Sequence, residues 1–508
     1  MLARSQLVPI AIAAGATFPM VLSSTAISVA LPAISAELGL TSGEMQGIAA
    51  LFFLTSSISM LTAKTLVSRY GIRATFIFSV LVFSLGIVIA CASANFAVLA
   101  VGRALQGVGT GVIQTLGILI ISPLFPVSRR GFAMGLFGTC ILLAPAIGPA
   151  YAGYLLEFFN WRALFYSMLP VMLTVLPPLS RALSADISSA RERFDWLGLL
   201  VIALSLSAFL TASIQSTGGE PELARLCYLG SAILLALFVW IEFDVASPLI
   251  ELQSLRQVDY SGSLVVIFVL GAVLFAMTFL LPQFLDHVAR MDPVSIGYIM
   301  LPGGLAMAFA SPLCGYLSDR YSSTLLLALG LALLAFSCWL LTGLQLGMDP
   351  MTLIMWVIVG RMALSLIFPC IYKISLYRFS GATLAQASAL VNFTRQIGGG
   401  LGLALAGSYF HYRDGAWLNA MHDTGATGAE GWDEARDLLG LSIDSAAGAG
   451  SLSTDGISTS LLSQLASQAL TMHAYRDVFA TMALCIVIAG LVFALTKVVR
   501  RLRSAAPE

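Results

Sequence analysis

Long apolar runs recur along this chain, parted by short polar stretches that hold most of its charges. A helix of about 20 mostly apolar residues spans the hydrocarbon core of a bilayer. Fourteen segments meet that length: 8–31, 45–66, 74–94, 97–121, 131–157, 162–183, 196–215, 224–243, 262–282, 293–316, 323–343, 351–373, 386–408 and 478–498. The pattern predicts an all-α polytopic membrane protein. The first run follows Arg4 as the core of a signal peptide would. It is too long for that and nothing soluble comes after it, so it reads as the first span.

One span breaks the pattern. "ILLAPAIGPAYAG" (141–153) places Pro145, Gly148, Pro149 and Gly153 where an unbroken helix is expected. Proline removes a backbone donor and glycine lowers helix propensity. Yet Ala144, Gly148 and Ala152 recur every four residues, a spacing that lets a second helix approach closely. Membrane helices tolerate proline where neighbours satisfy the freed carbonyls. The segment reads as a bent, tightly packed helix, either a static kink or one side of a moving interface.

Composition narrows the function. Hydrophobic residues make up 58% of the 508 positions and charged residues 10%. A soluble domain is about a quarter charged, so this chain lacks the surface of a soluble enzyme. Zero formal net charge argues against nucleic acid as a partner. The seven cysteines have neither metal nor disulfide spacing, and no nucleophile–base pair, metal cluster or phosphate-binding glycine loop stands out. We expect no enzyme activity, no metal and no cofactor.

Charge placement sets orientation, because Lys and Arg prefer cytoplasmic loops. With both termini inside, 17 of the 26 basic residues fall on the inner side, among them Lys64, Arg69, Arg73, Arg320 and Lys373. Six fall outside, and Arg103, Arg361 and Arg395 lie within spans. Residues 409–477 form the only long outer loop, rich in Gly, Ser and Ala and acidic overall. Its end looks helical, with Leu461, Leu465, Ala469 and Met472 on one face, suited to packing on the membrane-facing rim or to docking a partner.

A charge within a span is costly and normally faces the bundle interior or a wet cavity. Arg103 shares a helix face with Gln106 and Gln114, and Arg395 lies beside Asn392 and Gln396. These six residues are the candidate transport cavity or coupling site, set against a purely structural role in bonding free carbonyls. Arg361 is placed near an inner span end, where a structural role is expected. No Asp, Glu or His lies near the middle of a span, although proton relays usually need one there. A buried cation without an acid favours neutral or weakly acidic lipophilic substrates over cationic ones.

Several stretches resemble, in order, the motifs of the major facilitator superfamily. "APAIGPAYAG" is similar to the antiporter motif of the fifth helix, with Pro145, Gly148, Pro149 and Gly153 as its hinge. "VGRALQGVGTG" (101–111) resembles the fourth-helix motif and "STAISVALPAI" (24–34) the end of the first helix of fourteen-helix drug/proton antiporters. "NWRALF" (160–165), "SPLIELQSLR" (247–256), "NFTRQIGGGLG" (392–402) and "AYRDVF" (474–479) match further family positions. The likeness is greatest to Emr-type multidrug efflux pumps of Gram-negative inner membranes. It implies two six-helix bundles, 1–183 and 251–508, with two inserted helices within 184–250. It also implies proton-coupled export by alternating access from the bacterial inner membrane, with a periplasmic adaptor and an outer-membrane channel as partners beside substrate and membrane lipid. A transport-inactive scaffold or an uptake carrier of the same fold is the alternative. The family's first-helix acid is Ser23 here. The first cytoplasmic motif has Lys64 and Ser68 in place of its Gly and Asp, whereas the second-half copy keeps Gly315, Asp319 and Arg320. The resemblance therefore implies a cytoplasmic gate formed by Arg69, Gly315, Asp319 and Arg320, weighted towards the second half.

Overall fold

The computed structural model describes residues 4–178, 194–218, 221–245, 248–250, 252–423 and 454–505. All regular structure among them is helical. Helix starts follow local chemistry. Thr41 and Glu44 form a reciprocal capping box before α2 (Ser42–Cys91). Asn95 caps α3 (Phe96–Ile121), and Asp292, Ser322 and Asp349 cap α10 (Pro293–Arg320), α11 (Ser323–Leu341) and α12 (Pro350–Leu376). Ten described helices are long and apolar enough to cross a membrane, or eleven when the two legs of α4 (Arg130–Phe158), bent by 44° beside Pro145, are taken together.

Four sequence expectations need correction. Spans 45–66 and 74–94 are two helices joined without the expected loop, meeting within α2 at a kink where Gly71 adopts φ 77° and ψ 164°. Glycine alone populates that region without steric cost, so one residue makes the connection. The span 162–183 is not a continuous helix in its described part. It holds two short helices, α5 (Ala163–Tyr166) and α6 (Leu169–Val175), because Pro170 cannot donate back across the join. The outer loop 409–477 is shorter than expected: α13 (Gly381–Asp423) runs past residue 408, and α14 (Thr454–Ala505) begins well before residue 478. The stretch 424–453 of that loop and residues 179–193 lie outside the described residues. Arg361 lies near the middle of α12, not near its end. Hydropathy finds the apolar centre of a helix but not how far its polar ends continue.

The first-half helices α1 (Arg4–Leu38), α2, α3 and α4 pack on one another. The second-half set is α9 (Val258–Gln283) with α10 to α14. The two meet along α4 against α10 and α12, and along α2 and α3 against α13. Between them in sequence, α7 (Trp196–Gly218) and α8 (Pro221–Asp244) pair with each other, and α7 touches α2 and α13. Both carry exposed large apolar side chains, Trp196, Leu200, Leu226, Ile233, Trp240 and Phe243 among them. A soluble protein does not expose such a surface, but lipid covers it. Helix α13 turns Gln386, Ser388, Asn392, Arg395 and Gln396 into protein, where they are buried.

Glycines set the closest seams. A Cβ on Gly102 would lie 2.8 Å from the Ala90 backbone nitrogen, and one on Gly399 would strike the Phe275 ring. The glycine runs of α3 and α13 thus let whole helices lie against α2 and α9.

Candidate functional site

Three polar clusters occupy the seams. In the first, α3 places Arg103 and Gln106 one turn apart, facing Ser23 of α1. The Arg103 Nη1 donates to Gln106 Oε1 at 2.7 Å and to Ser23 Oγ at 3.0 Å. Its guanidinium lies 4.3 Å from the centre of the Phe52 ring. Arg103 is completely buried, yet its Nε and Nη2 have no partner, nor does Gln106 Nε2. No carboxylate pairs with it among the described residues.

The second cluster joins the halves. Gln114 lies on α3 about 16 Å beyond Arg103 along the helix axis. The Arg395 Nη2 donates to Gln114 Oε1 at 2.5 Å, and Asn392 Nδ2 to the Gln114 carbonyl at 3.3 Å. Tyr372 of α12 donates its hydroxyl to Asn392 Oδ1 at 3.0 Å and stacks on Phe368. Tyr372 was not legible from sequence, because only packing brings α12 beside α13. Gln396 stands apart from this network. It lines a cavity of about 30 Å³ with Phe53, Ser57 and Phe209.

The third cluster closes one end of the α4–α10 seam. Both carboxylate oxygens of Asp319 accept from the first turn of α4, Oδ1 from Gly131 N at 2.9 Å and Oδ2 from Phe132 N at 2.8 Å. A helix start offers such unsatisfied donors and a positive dipole end. Lys373 of α12 adds an ion pair to Asp319 Oδ1 at 2.9 Å. Gly315 and Gly131 are in backbone contact, and Ser311 Oγ donates to the Gly135 carbonyl at 2.7 Å. Of the four residues expected here, Asp319 and Gly315 are in place. Arg320 is exposed and lies over the Tyr316 ring, 4.7 Å from its centre. Arg69 is exposed at the edge of a separate 270 Å³ pocket bordered by Tyr70, Phe78 and Trp196. Lys373 supplies the cation that meets Asp319, and the charge pattern of the sequence marks it only as an inner-side residue.

In the bent segment Ala144 and Ala152 are buried, and a Cβ on Gly148 would collide with Thr25 Oγ1 of α1. Pro145 is buried and Pro149 half-buried within the helix. Around Gly153 a Cβ would meet nothing within 4 Å. At this end of the molecule Glu37 accepts from Arg162 Nη1 at 2.6 Å and from Trp161 Nε1 at 2.7 Å, and these donors hold its carboxyl below the ordinary value.

Arg361 mirrors Arg103 in the second half. Its Nη1 and Nη2 approach Thr278 Oγ1 of α9 at 3.5 and 3.4 Å. Each half thus sets a buried arginine of one helix against a hydroxyl of that half's first helix. The end-of-span acids serve local structure: Asp195 caps α7 through Gly198 N, Glu242 accepts from Leu249 N and Ile250 N, and Asp259 pairs with Lys497.

Residues 13–403 match the family model of the Major Facilitator Superfamily. The chain belongs to that superfamily and is a polytopic membrane transporter, not an enzyme. It is 26% identical to the lincomycin resistance protein LmrB of Listeria monocytogenes over 386 residues, 76% of this chain and 82% of the relative. It is 26% identical to the multidrug resistance protein Stp of Mycobacterium tuberculosis over 420 residues, 82% of this chain and 77% of that one. Among solved structures it shares the fold of the proton:xylose symporter XylE, with a TM-score of 0.58 at 12% identity, covering 95% of both chains. The human organic anion transporter MFSD10 aligns with a TM-score of 0.55 at 14% identity, covering 96% of this chain and 99% of that one.

Proposed function

We propose that the protein is a secondary active efflux transporter of the bacterial inner membrane. It moves small hydrophobic or amphipathic compounds by alternating access between its two halves, and both of its termini are cytoplasmic. The observation that carries this reading is the polar seam between halves, with Gln114 bonded to Arg395 at its centre and the Asp319 latch at one end. A seam of few directional bonds and many glycine contacts can part and re-form, which rocking of rigid halves requires. In the orientation read from the positive charges, the Asp319 end is cytoplasmic and the latch is the inner gate in its closed state. The resistance proteins among the relatives support export as the direction.

Proton coupling is what the antiporter resemblance implies. The substrates are neutral or weakly acidic, because the seam offers guanidinium groups and no carboxylate among the described mid-helix residues to offset a buried cation. The outer extensions of α13 and α14, tied by the Arg413–Asp477 ion pair, are where a periplasmic adaptor would make contact.

Inside-out vesicles carrying the protein should accumulate a lipophilic dye when a proton gradient is imposed and release it when the gradient is collapsed. Purified, folded protein that moves nothing across a broad panel of compounds would leave only the transport-inactive scaffold. Accumulation in right-side-out vesicles alone would make it an uptake carrier.

A further inference from the structure

The bonding of Arg103 is one-sided in a way that defines a ligand. Every hydrogen bond it makes to Ser23 and Gln106 uses Nη1. The two nitrogens without partners, Nε and Nη2, lie on the same edge of the guanidinium plane. Their N–H bonds run parallel there, the fork that matches the two oxygens of a carboxylate. Arg103 is fully buried, so this edge meets no water, and a buried charge left unpaired is strongly unfavourable. Gln106 Nε2, one turn along α3, is also without a partner, as is Ser56 Oγ of α2, whose backbone lies against Gly107 and Gly111 of α3. The other two buried arginines differ. Arg361 directs both η nitrogens at Thr278, and none of its nitrogens is both buried and unpartnered. Arg395 has its Nη2 occupied by Gln114, so its own fork is already half used.

We propose that the vacant edge of Arg103 receives the carboxylate of an amphipathic organic acid, gripped by Nε and Nη2, with Gln106 Nε2 and Ser56 Oγ available to the remaining lone pairs. The ligand supplies the negative charge that neither residue bonded to Arg103 provides: Ser23, which faces Arg103, carries a hydroxyl where an acid would have neutralised the site from within. The apolar surroundings, with the Phe52 ring against the guanidinium and Phe53 next to it, select a ligand whose remaining body is lipophilic. This deepens the transporter reading and rests on it for the route by which the acid enters and leaves.

The test is binding of three matched probes, 1-pyrenebutyrate, 1-pyrenebutanamide and 1-pyrenebutylammonium, to the full-length protein in nanodiscs at pH 7. The wild type should bind the carboxylate about tenfold or more tighter than the amide, and the ammonium weakest. Arg103→Lys keeps the charge but loses the fork, and should abolish most of the preference for carboxylate over amide. Ser23→Asp places a carboxylate opposite Arg103, and should exclude the acid while sparing the amide. If Arg103→Lys does not fold, the wild-type series and Ser23→Asp still decide. Equal binding of carboxylate and amide by the wild type overturns the proposal, as does an unaltered preference in Ser23→Asp. Proteoliposome transport of the same probes separates the two readings. Carboxylate preference with no movement of any probe removes the transporter reading and leaves the site standing. Movement of the amide without carboxylate preference removes the site and leaves the transporter.

Discussion

Gln114 and Arg395 belong to opposite halves of the molecule and share a hydrogen bond of 2.5 Å in a fully buried seam. Hydrogen bonds to charged groups contribute about 1.5–3 kcal/mol, and a buried partner left unsatisfied costs as much again. The two single variants should therefore differ. Gln114→Leu leaves a buried cation without its acceptor and should destabilise the protein by about 3 kcal/mol. Arg395→Met removes the charge together with its need, and should cost less. The double variant should recover part of the Gln114→Leu loss. A double-mutant cycle on thermal melts in detergent reads this directly, and strict additivity would show that the pair does not couple.

The Asp319 latch makes a conformational prediction. Asp319→Asn keeps one acceptor oxygen for the first turn of α4 but loses the other and the ion pair to Lys373. The closed seam should weaken by about 1–3 kcal/mol, roughly 5- to 150-fold in its population relative to the open one. Nitroxide labels at the exposed positions Ser128 and Tyr321, in a cysteine-depleted background, should report a new longer distance in the variant. An unchanged distance distribution would mean that the latch does not hold this end shut.

The sequence made one side of each of these clusters visible. Helical spacing put Arg103 with Gln106, and Asn392 with Arg395, because turn-to-turn neighbours follow from 3.6 residues per turn. What they face could not be read. Ser23 lies 80 residues from Arg103, and Gln114 lies 281 from Arg395, so both contacts are set by helix packing. The pairing of Thr278 with Arg361, which parallels that of Ser23 with Arg103, is likewise set by packing between helices far apart in sequence. Arg69 and Arg320 illustrate the opposite failure. A motif names them, but in this conformation they face outward, and Lys373 of a different helix supplies the cation. Long polar extensions such as 409–423 escaped because hydropathy marks what lipid covers, not where a helix ends.

At the opposite end, acid should loosen the Glu37 contact. Donors from Arg162 and Trp161 favour the ionised carboxylate and lower its folded-state pKa beneath the ordinary carboxylate value. A depressed folded pKa stabilises the protein fully above the unfolded-state value, about 4.3, and that contribution disappears as pH falls through the lower folded value. The difference in melting temperature between the wild type and Glu37→Gln should be constant from neutral pH to about pH 5 and should close below about pH 4. A difference that persisted unchanged in strong acid would assign the effect of the variant to packing.

The two glycines of the bent helix should respond differently to the same small substitution. At Gly148 a methyl group would strike Thr25 Oγ1 and approach the Ala26 backbone nitrogen at 3.3 Å, so Gly148→Ala must push α1 from α4. Overpacking of this kind costs about 1–3 kcal/mol and should lower the melting temperature. At Gly153 nothing lies within 4 Å and φ is not positive, so alanine fits, and its better helix propensity should raise stability by up to about 1 kcal/mol. Gly153 belongs to the bent segment that the proposed rocking would press against a neighbouring helix once the Asp319 end opens. Gly153→Ala should therefore keep or improve the melting temperature while slowing transport in vesicles, because the added methyl group obstructs the state that this structure does not occupy. Full transport activity in a well-folded Gly153→Ala protein would show that α4 does not close at that point during the cycle.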